Sequence, residues 1–149
     1  MTMKYSKEVD IELPVDKVLE LMQDPENMKH WQPDLLGYEP LDDNTGEVGS
    51  QMKLRFRMGK REIEMIETVL EKDLPKKLVL EYTTNGVNNV NTNVFQQISE
   101  NKTKWIQENE FQFQSIPMKI FGFLMPGAFK KQSQEYLDNF KEFAESRGK

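Results

Sequence analysis

The chain has no cysteine and a single histidine among its 149 residues. The first absence excludes a disulfide framework, a thiolate nucleophile, an iron-sulfur cluster and any cysteine-based zinc site. The second leaves His30 with no imidazole partner, so no histidine-rich metal site is expected; no metal, cofactor or catalytic motif is assigned. Positive charge is also short. With 20 Lys and Arg against 25 Asp and Glu the formal net charge is −5. A domain of that sign lacks the general positive field that nucleic acid selects, so no nucleic-acid partner is expected. Long apolar runs are missing as well. The longest uncharged apolar stretch, Ile120 to Phe129, is interrupted by Gly122, Pro126 and Gly127 and is about half of what a bilayer span needs, so no stable membrane insertion is expected. Lys4, Lys7, Glu8, Asp10 and Glu12 break up the first dozen residues, which form no signal-peptide core, and a cytoplasmic location is the expectation.

What is present reads as one domain over residues 1–149, a length that buries enough surface for a core and an internal cavity. Tyr5 to Leu13 alternates, with Tyr5, Val9, Ile11 and Leu13 on one face, which predicts a half-buried strand ended by Pro14. The period then becomes helical through Val15, Val18, Leu19 and Met22. Asp24-Pro25 supplies an N-cap and a first-turn proline for a second short helix that stops near His30.

From Trp31 onward, turn signals at Asp42 to Gly46, Met58-Gly59, Asp73 to Lys76, Asn85-Gly86 and Ser99 to Lys102 divide the chain into six strands. In Gln51 to Met58 the apolar set Met52, Leu54, Phe56 and Met58 alternates strictly with Gln51, Lys53, Arg55 and Arg57. Asn85-Gly86 predicts a type I′ hairpin, in which both residues take positive φ. A change of phase near Met65-Ile66 predicts a β-bulge there. The last element, from Met118, repeats Phe121, Met125, Phe129, Tyr136 and Phe140 at helical spacing, with Pro126 placed to kink or restart the helix.

In that order of elements the segments Ile11 to Val18, Asp24-Pro25-Glu26, Trp31-Gln32-Pro33, Gly49-Ser50, Leu74 to Leu78 and Lys102 to Trp105 resemble landmarks of the START-like superfamily, also called Bet v 1-like or SRPBCC. Within it they are most similar to the bacterial polyketide cyclase/dehydrase and lipid-transport group. The resemblance implies an α+β helix-grip fold: a curved seven-stranded antiparallel sheet around a long C-terminal helix, two short helices after the first strand, and an apolar cavity between sheet and helix. Similar folds host carriers, receptors, cyclases and chaperone activators, so the fold alone leaves the activity open.

The residues expected to line that cavity are Trp31, Met52, Leu54, Phe56, Leu80, Tyr82, Trp105, Gln107, Asn109, Phe111, Phe121, Met125, Phe129 and Tyr136. Strand Thr103 to Phe113 turns Thr103, Trp105, Gln107, Asn109, Phe111 and Phe113 to one face. Gln107 and Asn109 then sit among aromatics, where an unpartnered amide costs about 1 to 3 kcal/mol. They pair with each other, with Gln132 or with water, or else they orient the polar end of a ligand. Segment Val87 to Ile98 has no clean face: Val90, Val94 and Ile98 share parity with Asn88 and Thr92, and Val87 and Phe95 with Asn89, Asn91 and Asn93. Glu62 and Glu64 read as a solvated face. Methionines on inner faces suit a cavity that adapts to ligand shape.

The first expectation for function is binding of a small apolar or amphipathic molecule by a monomer or weak homodimer. The alternatives are a cyclase or dehydrase using Tyr82, His30 or an inward carboxylate, and a protein-interaction module using the basic row Lys53, Arg55 and Arg57. The segment Ile120 to Phe129, loosened by its glycines and proline, is expected to be the lid.

Overall fold

The computed structural model describes residues 2–114 and 126–148. Phe121, Met125 and most of the expected lid segment lie outside the described residues. The first strand, β1 (Thr2–Ile11), leads into α1 (Val15–Gln23) and a 3₁₀ helix (Pro25–His30). Pro25 supplies a preset φ at the start of that helix, and the Asp24 carboxylate accepts from the Glu26 N–H at 3.0 Å. Six strands follow: β2 (Leu35–Pro40), β3 (Gln51–Met58), β4 (Arg61–Asp73), β5 (Lys77–Thr84), β6 (Val87–Ser99) and β7 (Lys102–Phe113). The C-terminal helix, α2, runs over Pro126–Gly148.

The seven strands form one antiparallel sheet in the order β1-β7-β6-β5-β4-β3-β2. Its inner face holds α2, in the helix-grip arrangement. Two turns differ from expectation or refine it. In the β5–β6 turn only Gly86 has positive φ, 76°, and no residue other than glycine does among the described residues, so Asn85-Gly86 follows the type II pattern rather than I′. Gly59, with φ 62°, takes the first central position of the β3–β4 turn, where a side chain would be strained.

β3 and β4 pair without interruption from Gln51↔Thr68 to Met58↔Arg61, so there is no bulge at Met65-Ile66. The irregularity lies further along, where Leu70 is inserted between the pairs Val69↔Leu80 and Glu71↔Val79. With no break before Leu70, Ile63, Met65, Glu67 and Val69 share the inner face.

The interior has two parts. At one end Ile11, Leu13, Val18, Phe95, Trp105, Leu137, Phe140, Phe143 and Ala144 form a closely packed apolar core, of which Phe95 and Trp105 also reach the open space beside it. Trp31 enters it edge-on to Trp105, Tyr136 and Phe140, with ring centroids 6.0, 6.4 and 5.5 Å away. His30 lies outside it, exposed and stacked on Phe143 at 4.9 Å. Beside this core lies open space, partly between the sheet and α2 and partly between the sheet, the two short helices and the loop before β3, which is where the candidate site lies.

Candidate ligand cavity

Two adjoining cavities of about 200 and 230 Å³ occupy that space, and Met22, Trp31, Gln32, Leu78, Leu80 and Tyr82 border both. Of the residues expected from sequence, Phe56, Trp105, Gln107, Asn109, Phe111, Phe129 and Tyr136 line the larger cavity, and Met52 lines the smaller. Trp31, Leu80 and Tyr82 line both. Leu54 borders neither; it is packed into the core at 1% exposure. Met58, on the inner face of β3, is 47% exposed at the strand's end while still touching the larger cavity.

The wall contributed by β6 and β7 is a connected row of amides. Asn93 Oδ1 accepts from Trp105 Nε1 at 2.9 Å and from Gln107 Nε2 at 3.2 Å. Asn93 Nδ2 donates to Asn91 Oδ1 at 2.7 Å and to the Leu78 carbonyl at 3.3 Å. Asn109 Oδ1 accepts from Asn91 at 2.8 Å and from Asn89 at 3.2 Å, while its own Nδ2 donates to Gln107 Oε1 at 3.0 Å. Gln107 and Asn109 therefore pair with each other and with β6, and Gln132 instead reaches the Tyr136 hydroxyl at 3.4 Å.

The odd-numbered set of β6 is the inward one, because Asn91 pairs with Asn109 and Asn93 with Gln107 across the sheet. An amide nitrogen carries two hydrogens. One N–H each of Asn91, Gln107 and Asn109 has no acceptor among the described residues. The row is thus internally satisfied enough to be stable and still has donors to offer.

The sequence reading missed Glu67. It points inward from β4, opposite Tyr82 on β5, whose hydroxyl lies close to the carboxylate. Both are half-buried; Glu67 borders the smaller cavity and Tyr82 borders both. Burial raises the Glu67 carboxyl above its ordinary value, and the Tyr82 hydrogen bond opposes that rise. Tyr82 is pushed well up by burial and then by the neighbouring Glu67 charge. Tyr136 is raised by burial, with Asp34 and Glu135 adding to it. The signal for Glu67 was its parity with Ile63, Met65 and Val69, set apart from Glu62 and Glu64, which are exposed.

The sign of the linkage gives a measurable consequence. A carboxyl whose folded pKa is raised holds its proton to higher pH in the native state than in the unfolded chain, so stability falls as pH rises between the two values. Glu67→Gln removes that cost. Urea unfolding across the acid-to-neutral range is expected to give a wild-type curve that drops relative to the variant's as Glu67 ionises, after which the gap is constant. Parallel curves would place Glu67 in a solvated setting.

On the outer face the basic row is answered from the next strand. Arg55 and Arg57 lie opposite Glu64 and Glu62, and Arg55 reaches the Glu62 carboxylate at 3.4 Å. Among the described residues no group of three or more His, Cys, Asp or Glu could hold a metal ion, and no helix is long and apolar enough to cross a membrane.

A family described as polyketide cyclase / dehydrase and lipid transport matches residues 2–145. Among solved structures, the Zhui aromatase/cyclase from Streptomyces sp. R1128 superposes with a TM-score of 0.83 at 13% identity, covering 100% of this chain and 97% of that one. The protein TTHA0849 from Thermus thermophilus gives 0.76 at 18% identity over 99% and 100%. Norcoclaurine synthase from Thalictrum flavum, solved with dopamine and hydroxybenzaldehyde, gives 0.72 at 16% identity over 100% and 90%. At these identities the likeness is one of fold. A search of curated protein sequences gave no match.

Proposed function

The chain belongs to the polyketide cyclase / dehydrase and lipid transport family, in the START-like, Bet v 1-like superfamily, and from that premise we propose that it holds one small apolar or amphipathic molecule between the sheet and α2. The observation that carries the reading is the amide row: three N–H donors that are spare among the described residues, on the wall of a cavity that Phe56, Met65, Leu80, Phe111 and Phe129 also border. Apolar walls supply affinity, and a few fixed donors orient the oxygen atoms of a guest. Delipidated protein titrated with the fluorescent probe N-phenyl-1-naphthylamine is expected to bind roughly one equivalent. Phe129→Ala, which removes apolar wall from a half-buried position, is expected to weaken the probe about tenfold with the fold retained. Absence of saturable binding by the wild type would end this reading.

Cyclase or dehydrase chemistry is a second reading, favoured by the Glu67–Tyr82 pair. A buried carboxyl whose pKa is raised holds its proton to higher pH than a solvated one, which suits an acid/base group. If it does so, the rate on a polyketone substrate depends on pH through Glu67 and that dependence vanishes in Glu67→Gln. A flat profile at the background rate for both proteins leaves binding alone.

A further inference from the structure

Glu67, which borders the smaller cavity and not the larger, gives the two parts of the site different character. The larger cavity presents N–H donors. The smaller one presents a carboxylate set among Met22, Met28, Met52, Leu74 and Leu78. Of the described residues lining the smaller cavity, only Glu67, Lys72 and Tyr82 are charged or titrate. Lys72 lies within 3.7 Å of Glu47 Oε1, so its ammonium is already met by a carboxylate. The α1 and 3₁₀ side contributes Met22, Gln23, Pro25 and Met28, and the loop before β3 contributes Thr45, Gly46 and Ser50, none of which is charged. Asp34 and Arg57 border only the larger cavity. Tyr82 faces Glu67 across the strand pair, and the other neutral donors bordering the smaller cavity include Gln23, Gln32, Thr45, Ser50 and Gln51. Across the sheet Glu67, Tyr82 and Asn89 stand in one row of paired positions, which places Asn89 about 10 Å from Glu67 at ordinary strand spacing.

We propose that Glu67 makes the smaller cavity an acceptor subsite, which takes the hydroxyl or ammonium head of an amphipathic guest and excludes guests with an anionic head. The proposal rests on the binding reading above and adds the chemical class of the guest. A second negative charge brought within about 10 Å of Glu67 in a partly desolvated cavity is repelled strongly enough to lower affinity tenfold or more. An O–H or N–H head instead replaces water as a donor to the carboxylate, so the guest's chain runs from the smaller cavity into the larger, where its oxygen atoms meet the amide row.

The test uses two competitors of equal chain length whose head groups do not titrate in the working range, dodecan-1-ol and dodecane-1-sulfonate. Each displaces N-phenyl-1-naphthylamine from delipidated protein. At mildly alkaline pH the alcohol is expected to bind at least tenfold more tightly than the sulfonate. In Glu67→Gln that ratio is expected to fall several-fold, mainly through tighter sulfonate binding. Should the variant fold poorly, lowering the pH of the wild type through the Glu67 titration performs the same discharge and is expected to shrink the ratio. Equal binding of the two by the wild type, or a ratio unchanged by both the substitution and the pH shift, would overturn the proposal while leaving the binding reading intact. Failure of the probe itself to bind would overturn that reading and this proposal with it.

Discussion

Trp105→Ala is expected to lower stability by about 3 to 5 kcal/mol, the cost of deleting a large aromatic side chain from a core. Trp105 is 1% exposed and is held by rings on three sides. Phe95 stacks on it at 5.9 Å from β6, Trp31 meets it edge-on at 6.0 Å from the end of the 3₁₀ helix, and Phe140 meets it edge-on at 5.4 Å from α2. These contacts join the sheet, the helix connection and the C-terminal helix through one side chain. The space it vacates adjoins the larger cavity, so its neighbours gain room without closing in, and the cavity penalty is felt in full. Chemical unfolding measures the effect directly; in a domain of this size it corresponds to a midpoint roughly 10 °C lower on heating. Trp105→Phe keeps most of the packing and loses the N–H, so it is expected to cost about 1 to 2 kcal/mol. If the two variants cost the same, the indole's hydrogen bond rather than its area is what matters at this position.

The difference between packing and polar pairing also explains what the sequence could disclose. Strand β3 was legible because one of its faces is solvated and the other is apolar throughout, so hydrophobicity alternates with the pleat even where Met52 and Phe56 border the cavities. The order of elements and the cap at Asp24-Pro25 were legible because those signals are local. Strand β6 was not. Its inner face carries Asn89, Asn91 and Asn93 and its outer face carries Val90 and Val94, the reverse of the usual pattern, because the inner face borders a cavity.

Register from the β6–β7 turn would not have resolved it. Ser99 pairs with Lys102, but Gln97 pairs with Thr103, so an extra residue at Ile98 shifts the register by one and exchanges the two faces of everything before it. Glu67 was obscured in a related way. Ile66, half-buried on the outer face, looks like a break in the pattern, whereas the interruption in β4 occurs at Leu70. In both strands the ambiguous stretch borders the cavity, because a ligand site is where the rule of apolar inside and polar outside is relaxed.

Asn93→Leu tests whether the amide row contributes to the native state as a unit. Leucine fits the volume but leaves the Trp105 indole N–H, one Gln107 N–H and Asn91 Oδ1 without their partner. Cavity water can reach Gln107, which is half-buried, whereas the indole N–H belongs to a side chain that solvent hardly touches. Stranding one buried group costs about 1 to 3 kcal/mol, and the added apolar surface returns part of the total, so a net loss of about 2 to 3 kcal/mol is expected. The sharper measurement is the double-mutant cycle with Trp105→Phe. Once the indole N–H is gone, Asn93→Leu strands one group fewer, so the pair is expected to cost at least about 1 kcal/mol less than the sum of its parts. Additive effects would mean that Asn93 does not hold the indole, and the amide row would then consist of separate contacts along the cavity wall, each free to turn toward a guest.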